Sequence, residues 1–385
     1  MTCSVVPIAP FNPVRRRIQE RATAERIPLS ASIEIIATCN FKCEHCYIAP
    51  CAEREDVMSV ENARLIFSKL ANAGTLSVLL TGGEVLTHRH FADIYMAAKR
   101  SGFSLFVNTN AYLLGERWAD FFAEWPPEVI SISLYGLSDE SYQRVTNVPN
   151  AFRRVARAID LLIDRGIRTE LKCPAFTMTV DEIPRMKEYA EARGIPFRFD
   201  AVMTPQEKGS SKPVQLQLAP KRLVEMEQAM NPGLTGLRDF AETRIHLQPD
   251  DRVYQCGAGR STLAVNVHGN VSTCISSRQA VGNLLNQSFE EVWEALGGKV
   301  QRRLPAGHPC ATCKFRAICV GCPATVEQVT GLPEGYVQQY CALTHARAYA
   351  AGFHPTGIPR TVSEGIPAGI ATPRTEFSRA LPVLS

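Results

Sequence analysis

Between residues 32 and 201 two hydrophobic patterns alternate along the chain. Short, almost continuously apolar runs rich in β-branched residues fall at 32–38, 76–80, 104–109, 129–134, 168–176 and 196–201. Runs of this length and composition read as buried strands. Between them, at 60–73, 90–101, 115–123, 151–165 and 183–193, apolar residues recur three and four apart, the spacing of amphipathic helices. Repeated β–α units running in one direction imply a parallel sheet covered by helices. Six such strands are too few to close an eight-stranded barrel. The expected fold class is therefore α/β, a partial (βα)6 TIM-like barrel.

The pattern changes after residue 202. Pro205, Gly209, Ser210, Ser211 and Pro213 mark a loop, and 220–229 has helical spacing. Apolar runs at 263–267 and 271–273 flank His268, Gly269 and Asn270, a hairpin signal. Residues 288–296 read as a short helix. Residues 1–30 are basic and proline-interrupted, an arm with room for one helix. Past residue 350, Pro355, Pro359, Pro367, Pro373 and Pro382 stand among small residues, the composition of a disordered tail. The expected division is an arm at 1–30, the barrel at 31–202, a linker or helical bridge at 203–250, a cysteine-rich unit with a β-hairpin at 251–350, and the tail at 351–385.

Composition narrows the function classes. Of 385 residues, 45% are apolar and 21% charged, with a net charge of +4. That is a soluble globular balance, too weakly basic to argue for nucleic acid or an anionic membrane. No apolar run reaches the ~18 residues of a membrane span. The short N-terminal apolar stretch is broken by prolines and followed by its basic cluster, unlike a secretory signal. The expected location is the cytoplasm, without a membrane or nucleic-acid partner. In a reducing compartment 13 cysteines point to metal or catalysis rather than disulfides.

Their placement points the same way. Cys39, Cys43 and Cys46 stand in CNFKCEHCY, directly after the first expected strand. One loop with this spacing can wrap three thiolates around a four-iron cluster and leave one iron open for substrate. Three close cysteines also fit part of a zinc site. The alternatives separate on context, because the loop sits at the C-terminal end of a strand in a parallel β/α array, where chemistry collects. CxxxCxxC in this position resembles the motif of the radical S-adenosylmethionine superfamily. The resemblance implies a [4Fe–4S] cluster on Cys39, Cys43 and Cys46 whose open iron chelates S-adenosylmethionine. Reductive cleavage of that cofactor then gives a 5′-deoxyadenosyl radical. TGGE at 81–84 is similar to the family's GGE segment, implying that Gly82, Gly83 and Glu84 hold the methionine amino group. Val85 replaces the family's usual proline. NTNA at 108–111 and SISLYG at 131–136 are similar to later family segments, with Ala111 and Tyr135 as departures. The resemblance makes Ser133 a candidate for the ribose or methionine moiety and Arg144 a candidate for the cofactor carboxylate.

A second set comprises Cys256, Cys274, Cys310, Cys313, Cys319, Cys322 and Cys341. Taken alone, 310–322 fits a zinc ribbon. With the other three cysteines, the whole resembles the SPASM extension of peptide- and protein-modifying radical enzymes. This implies two auxiliary iron–sulfur clusters: Cys256, Cys274 and Cys322 would hold the first, one ligand short, and Cys310, Cys313, Cys319 and Cys341 the second. Cys173 reads as a small buried apolar residue, and Cys3 and Cys51 as unliganded thiols. The preferred function is oxidative modification, such as crosslinking, of a residue in a ribosomally made peptide or protein, with auxiliary clusters carrying electrons. Expected partners are a flavodoxin- or ferredoxin-type reductant and a separate leader-peptide-binding protein. Alternatives are a sulfatase-type maturase forming formylglycine, a small-molecule or haem-pathway radical enzyme, and a non-catalytic electron carrier. Asp200, ending the sixth strand, is a positional guess for a general base.

Overall fold

Six parallel strands are laid down in chain order: β1 (Ser30–Ile36), β2 (Ser77–Gly82), β3 (Ser104–Thr109), β4 (Val129–Ser133), β5 (Thr169–Pro174) and β6 (Phe197–Asp200). The structure, a computed structural model, describes residues 13–48, 56–207, 209–244 and 251–354. Cys3, Cys51 and the tail from 355 onward lie outside the described residues. Between the strands run helices such as Val60–Asn72, Phe91–Arg100 and Ala151–Asp164. Ala151–Asp164 buries Ala151, Val155, Ala158, Ile159 and Leu162, one stripe at helical spacing. Val60–Asn72 starts where the side chain of Ser59 accepts from Asn62 N, satisfying a donor that the first turn leaves free.

Strand residues alternate between two environments, as a pleated sheet requires. Ile33 and Ile35, Val78 and Leu80, Leu105 and Val107, and Ile130 and Ile132 are fully or almost fully buried in the core shared with the helices. Cys173 lies in that core too, at 1% exposure. The opposite face carries Leu79 paired with Phe106 and, nearer the strand ends, a row of polar side chains. Register pairs Glu34 with Thr81, Asn108 with Ser131, and Ser131 with Glu170, while Asn108 Nδ2 donates to Thr81 Oγ1 at 3.5 Å. One hydrophilic layer thus crosses five strands. A closed TIM barrel fills this space with branched apolar side chains; here it is a polar-lined chamber.

The hairpin expected around Gly269 forms as β7 (Thr262–Val265) and β8 (Asn270–Ser272), with Gly269 at φ +79°. It does not stand apart from the barrel. β7 lies parallel to β1, pairing Ser30 with Thr262 and Ile33 with Val265. β9 (Gly282–Asn283) closes the order β6-β5-β4-β3-β2-β1-β7-β8-β9. The cysteine-rich region is therefore built onto the barrel's first strand. The 202–250 region is more helical than its sequence suggested, with helices Lys212–Gln215, Pro220–Met230 and Thr235–Glu242. Glu227 on Pro220–Met230 and Arg347 on the helix Gln338–Ala350 form a buried bidentate ion pair, with Arg347 Nε donating to both carboxylate oxygens at 3.1 and 3.0 Å.

Candidate functional site

The loop carrying Cys39, Cys43 and Cys46 leaves the end of β1 and is fastened from two sides. Lys42 N and Glu44 N donate to Thr146 O and Val145 O, each at 3.0 Å. These carbonyls end the helix Asp139–Thr146, where the last turn has no intrahelical donors of its own. That helix begins at Ser138, whose side chain accepts from Ser141 N, and ends at Asn147 in the left-handed region. Asn147 Nδ2 donates back to Lys42 O and Glu44 Oε1, both at 2.9 Å. On the other side, Gln206 Nε2 donates to Cys46 O at 3.3 Å and Glu207 N to Tyr47 O at 2.9 Å. Inside the loop Phe41 N donates to Cys39 Sγ at 3.4 Å. His45 packs between Tyr135 and Phe176, with centroids 5.2 and 4.9 Å away. Burial holds its imidazole at about 4, opposed by the charge of Glu44.

Gly82 and Gly83 let the end of β2 lie directly on the end of β1. Gly83 N donates to Ile36 O at 2.8 Å and Glu84 N to Thr38 O at 3.0 Å. A Cβ on either glycine would fall inside 3.0 Å of that backbone, and Gly82 has φ +141°. The close approach that these glycines permit is thus to the root of the cysteine loop. The Glu84 carboxylate is turned inward and 1% exposed. It accepts from Leu86 N at 3.1 Å, Thr109 Oγ1 at 2.6 Å and Asn110 N at 2.6 Å. Glu84 therefore braces β2 against β3. Asn110 carries the brace on to the loop, donating to Asn40 Oδ1 at 2.9 Å and facing Cys39 Sγ at 3.8 Å.

Ser133 ends β4 and pairs in register with Lys172, which pairs with Arg198. Burial, then Arg198, pulls the Lys172 ammonium down to about 8. Asp200 stands two residues beyond Arg198, and its Oδ1 is buried without a hydrogen-bond partner. Arg144 reaches Met178 O and Glu182 Oε1, both at 3.3 Å. Sequence reasoning assigned Tyr135 no role. It is 8% exposed, hydrogen-bonded to Ser133 and within electrostatic reach of Cys43, Cys39 and Cys46. Burial, then Cys43, holds its phenol well above the usual range. Its only sequence signal was that it breaks the SISLYG resemblance.

The later cysteines gather into two groups. Burial pushes the Cys274 thiol up to about 11, and Cys322 and Cys256 push it further in the same direction. Burial does the same to Cys310, to about 11, with Arg316 opposing and Cys319, Cys313 and Cys341 adding. Among the described residues no three His, Cys, Asp or Glu side chains converge on a single ion. The fit to a cluster rests instead on charge and on orphaned donors. Buried thiols that raise one another need a cation to become thiolates. Asn40 Nδ2 and His45 Nδ1 in the first loop, and Tyr254 OH and Thr273 Oγ1 around the Cys274 group, are buried without partners, where a bound group would supply acceptors. Those residues fit iron–sulfur clusters.

A parallel half-barrel with a three-thiol loop at the end of its first strand defines a class of metal-dependent enzymes. Residues 33–190 match the Radical SAM superfamily, and residues 256–314 match SPASM, an iron–sulfur cluster-binding domain. The chain carries a radical SAM domain and a SPASM domain. Its cofactors are accordingly a [4Fe–4S] cluster, S-adenosylmethionine and auxiliary iron–sulfur clusters. It is 23% identical over 311 residues to the antilisterial bacteriocin subtilosin biosynthesis protein AlbA of Bacillus subtilis, covering 77% of this chain and 67% of AlbA. It is also 23% identical over 326 residues to the AdoMet-dependent heme synthase of Methanosarcina barkeri, covering 77% and 92%. The crystal structure of Streptococcus suis SuiB bound to precursor peptide SuiA shares the fold, with a TM-score of 0.66, 17% identity, and 86% and 82% coverage. Among the described residues no helix is long and apolar enough to cross a membrane.

Proposed function

We propose that this enzyme is a maturase that oxidatively modifies, for example by crosslinking, a residue of a ribosomally made peptide or protein. In this reading Cys39, Cys43 and Cys46 hold the catalytic cluster, Cys256, Cys274 and Cys322 the first auxiliary cluster, and Cys310, Cys313, Cys319 and Cys341 the second. Ser133 and Tyr135 line the cofactor's side of the chamber. The clusters and S-adenosylmethionine supply the reducing electron, the hydrogen-abstracting radical and the route for the electron that an oxidation releases. The protein's own residues position and shield. The helix end at Val145–Thr146 and the Glu84–Asn110 brace fix the cysteine loop, while the polar layer from Glu34 to Glu170 orients a hydrophilic substrate.

The observation that carries this reading is a cavity of about 200 Å³ lined by residues of β1, β7 and β8. Ile36, Ala37 and Ile48 wall it beside the first loop, and Ser277 and Arg278 beside Cys274. In this reading a substrate residue bound there would neighbour the radical-forming loop and the segment that follows Cys274. Arg278 is already paired with Glu34 at 3.1 Å and Glu207 at 2.8 Å, so the wall offers hydrogen bonds without a net positive charge. That suits a peptide amide better than a free carboxylate. The likeness to AlbA and to SuiB with its precursor peptide supports a peptide substrate. A flavodoxin- or ferredoxin-type reductant and a separate leader-binding protein complete the proposal. A second reading, a tetrapyrrole substrate, is favoured by the likeness to heme synthase across most of that enzyme's length. Anaerobic co-expression with short open reading frames of the same operon, followed by peptide mass spectrometry, separates the two. The maturase reading expects a peptide that has lost hydrogen atoms. Unmodified peptides together with consumption of an iron porphyrin would replace it with the second.

A further inference from the structure

Cys256, Cys274 and Cys322 leave the first auxiliary site one protein ligand short of four. Tyr254 stands two residues before Cys256 and is 1% exposed. Its ring packs with Val253, Ala258 and Val300 against Cys256 and Cys274. Its hydroxyl is buried without a hydrogen-bond partner, and its electrostatic neighbours are Glu327, Cys274, Cys322 and Cys256. Glu327 is engaged by Lys299 at 3.0 Å. A buried O–H without an acceptor is unfavourable, and native proteins rarely leave one so. The acceptors that this hydroxyl lacks are the sulfur atoms that a cluster on these cysteines would bring.

We propose that Tyr254 is a positioning residue of the first auxiliary site, donating its hydroxyl hydrogen bond to a sulfur of the cluster that the three cysteines would hold. The inference rests on the assignment of Cys256, Cys274 and Cys322 as ligands. A hydrogen bond to cluster sulfur stabilises the more negative, reduced form and so raises the reduction potential. Tyr254 thereby makes the first auxiliary site a better electron acceptor than its cysteines alone would.

The test uses the full chain, purified and reconstituted anaerobically, carrying Cys39→Ala, Cys43→Ala, Cys46→Ala, Cys310→Ala and Cys313→Ala so that signals from the catalytic and second auxiliary sites are removed. Iron and sulfide are counted, and the first auxiliary cluster is titrated by electron paramagnetic resonance in this background and with Tyr254→Phe added. The expected result is unchanged iron and a lower midpoint potential in Tyr254→Phe. Site-specific replacement of Tyr254 by a fluorinated tyrosine, a stronger donor of nearly the same shape, should shift the potential the other way. A filler of the core would not produce shifts of opposite sign. An unchanged potential in both variants overturns the proposal. So does loss of iron in Tyr254→Phe, which would make the residue a ligand. If Cys256→Ala with Cys274→Ala removes no iron from this background, the ligand assignment has failed, a result distinct from either of those.

Discussion

Replacing Gly83 by alanine tests how the glycine pair shapes the cysteine loop. The new Cβ would sit 2.6 Å from Thr38 C and 2.7 Å from Ala37 O, with Thr38 O nearer still, where ordinary contact begins at 3.4 Å. These are backbone atoms and cannot rotate away. Relief needs the strand ends to part by roughly 1 Å, which strains the 2.8 Å bond from Gly83 to Ile36 O and the 3.0 Å bond from Glu84 to Thr38 O. Overpacking of this kind costs about 1–3 kcal/mol. Thr38 immediately precedes Cys39, so the shift passes into the loop, and a displacement of ~1 Å at a reacting centre costs about 100-fold in rate. The assay is 5′-deoxyadenosine formation by reconstituted protein under strong reductant, beside a thermal melt. Gly298→Ala is the control. It lies inside the helix Phe289–Val300, and its added Cβ meets nothing within 4 Å, so it should stabilise by about 0.4–1 kcal/mol. A Gly83→Ala protein with wild-type melting temperature and wild-type rate would refute the reasoning.

Glu227→Gln leaves Arg347 buried without its counter-charge and should cost about 3–5 kcal/mol in guanidinium unfolding; a loss below ~1 kcal/mol would contradict a tight pair. Lys172→Met should stabilise at pH 7, because the folded-state value of about 8 lies below the ~10.4 of an unfolded lysine. The folded protein binds fewer protons there, so wild-type stability rises as pH climbs from about 8 toward ~10.4 and the variant's advantage shrinks. Partial exposure of the side chain limits that advantage to about 1–2 kcal/mol, and an advantage that grows with pH in matched melts would reverse the argument. Cys310→Ala with Cys313→Ala should leave S-adenosylmethionine cleavage measurable while product falls; cleavage and product lost in equal measure would argue against an electron-transfer role for the second site.

Local pattern made the barrel legible. Residues 104–109 form β3 because alternating Leu105, Val107 and Thr109 bury one face of a strand, a signal carried by six residues alone. The helix Asp139–Thr146 escaped because DESYQRVT is short and polar, and it takes its place through Ser138 and the loop amides of Lys42 and Glu44. The pairing of β7 with β1 links residues more than 200 positions apart, and a hairpin signal says nothing about the edge that it will join. At the site, the spacing of Cys39, Cys43 and Cys46 was readable from the chain alone, whereas the division of the later cysteines came from the family resemblance. The inward turn of Glu84 and the place of Tyr135 were not, because both depend on donors and rings that only the folded sheet assembles.

The central claim is radical chemistry seated on Cys39, Cys43 and Cys46. The most direct test is anaerobic reconstitution of the wild-type chain and of the Cys39→Ala, Cys43→Ala, Cys46→Ala triple variant, with S-adenosylmethionine, strong reductant and quantified 5′-deoxyadenosine. The account predicts 5′-deoxyadenosine from the wild type, none above background from the variant, and retained auxiliary iron in both. Wild-type protein loaded with iron that leaves S-adenosylmethionine intact, or a variant that still cleaves it, would contradict the claim.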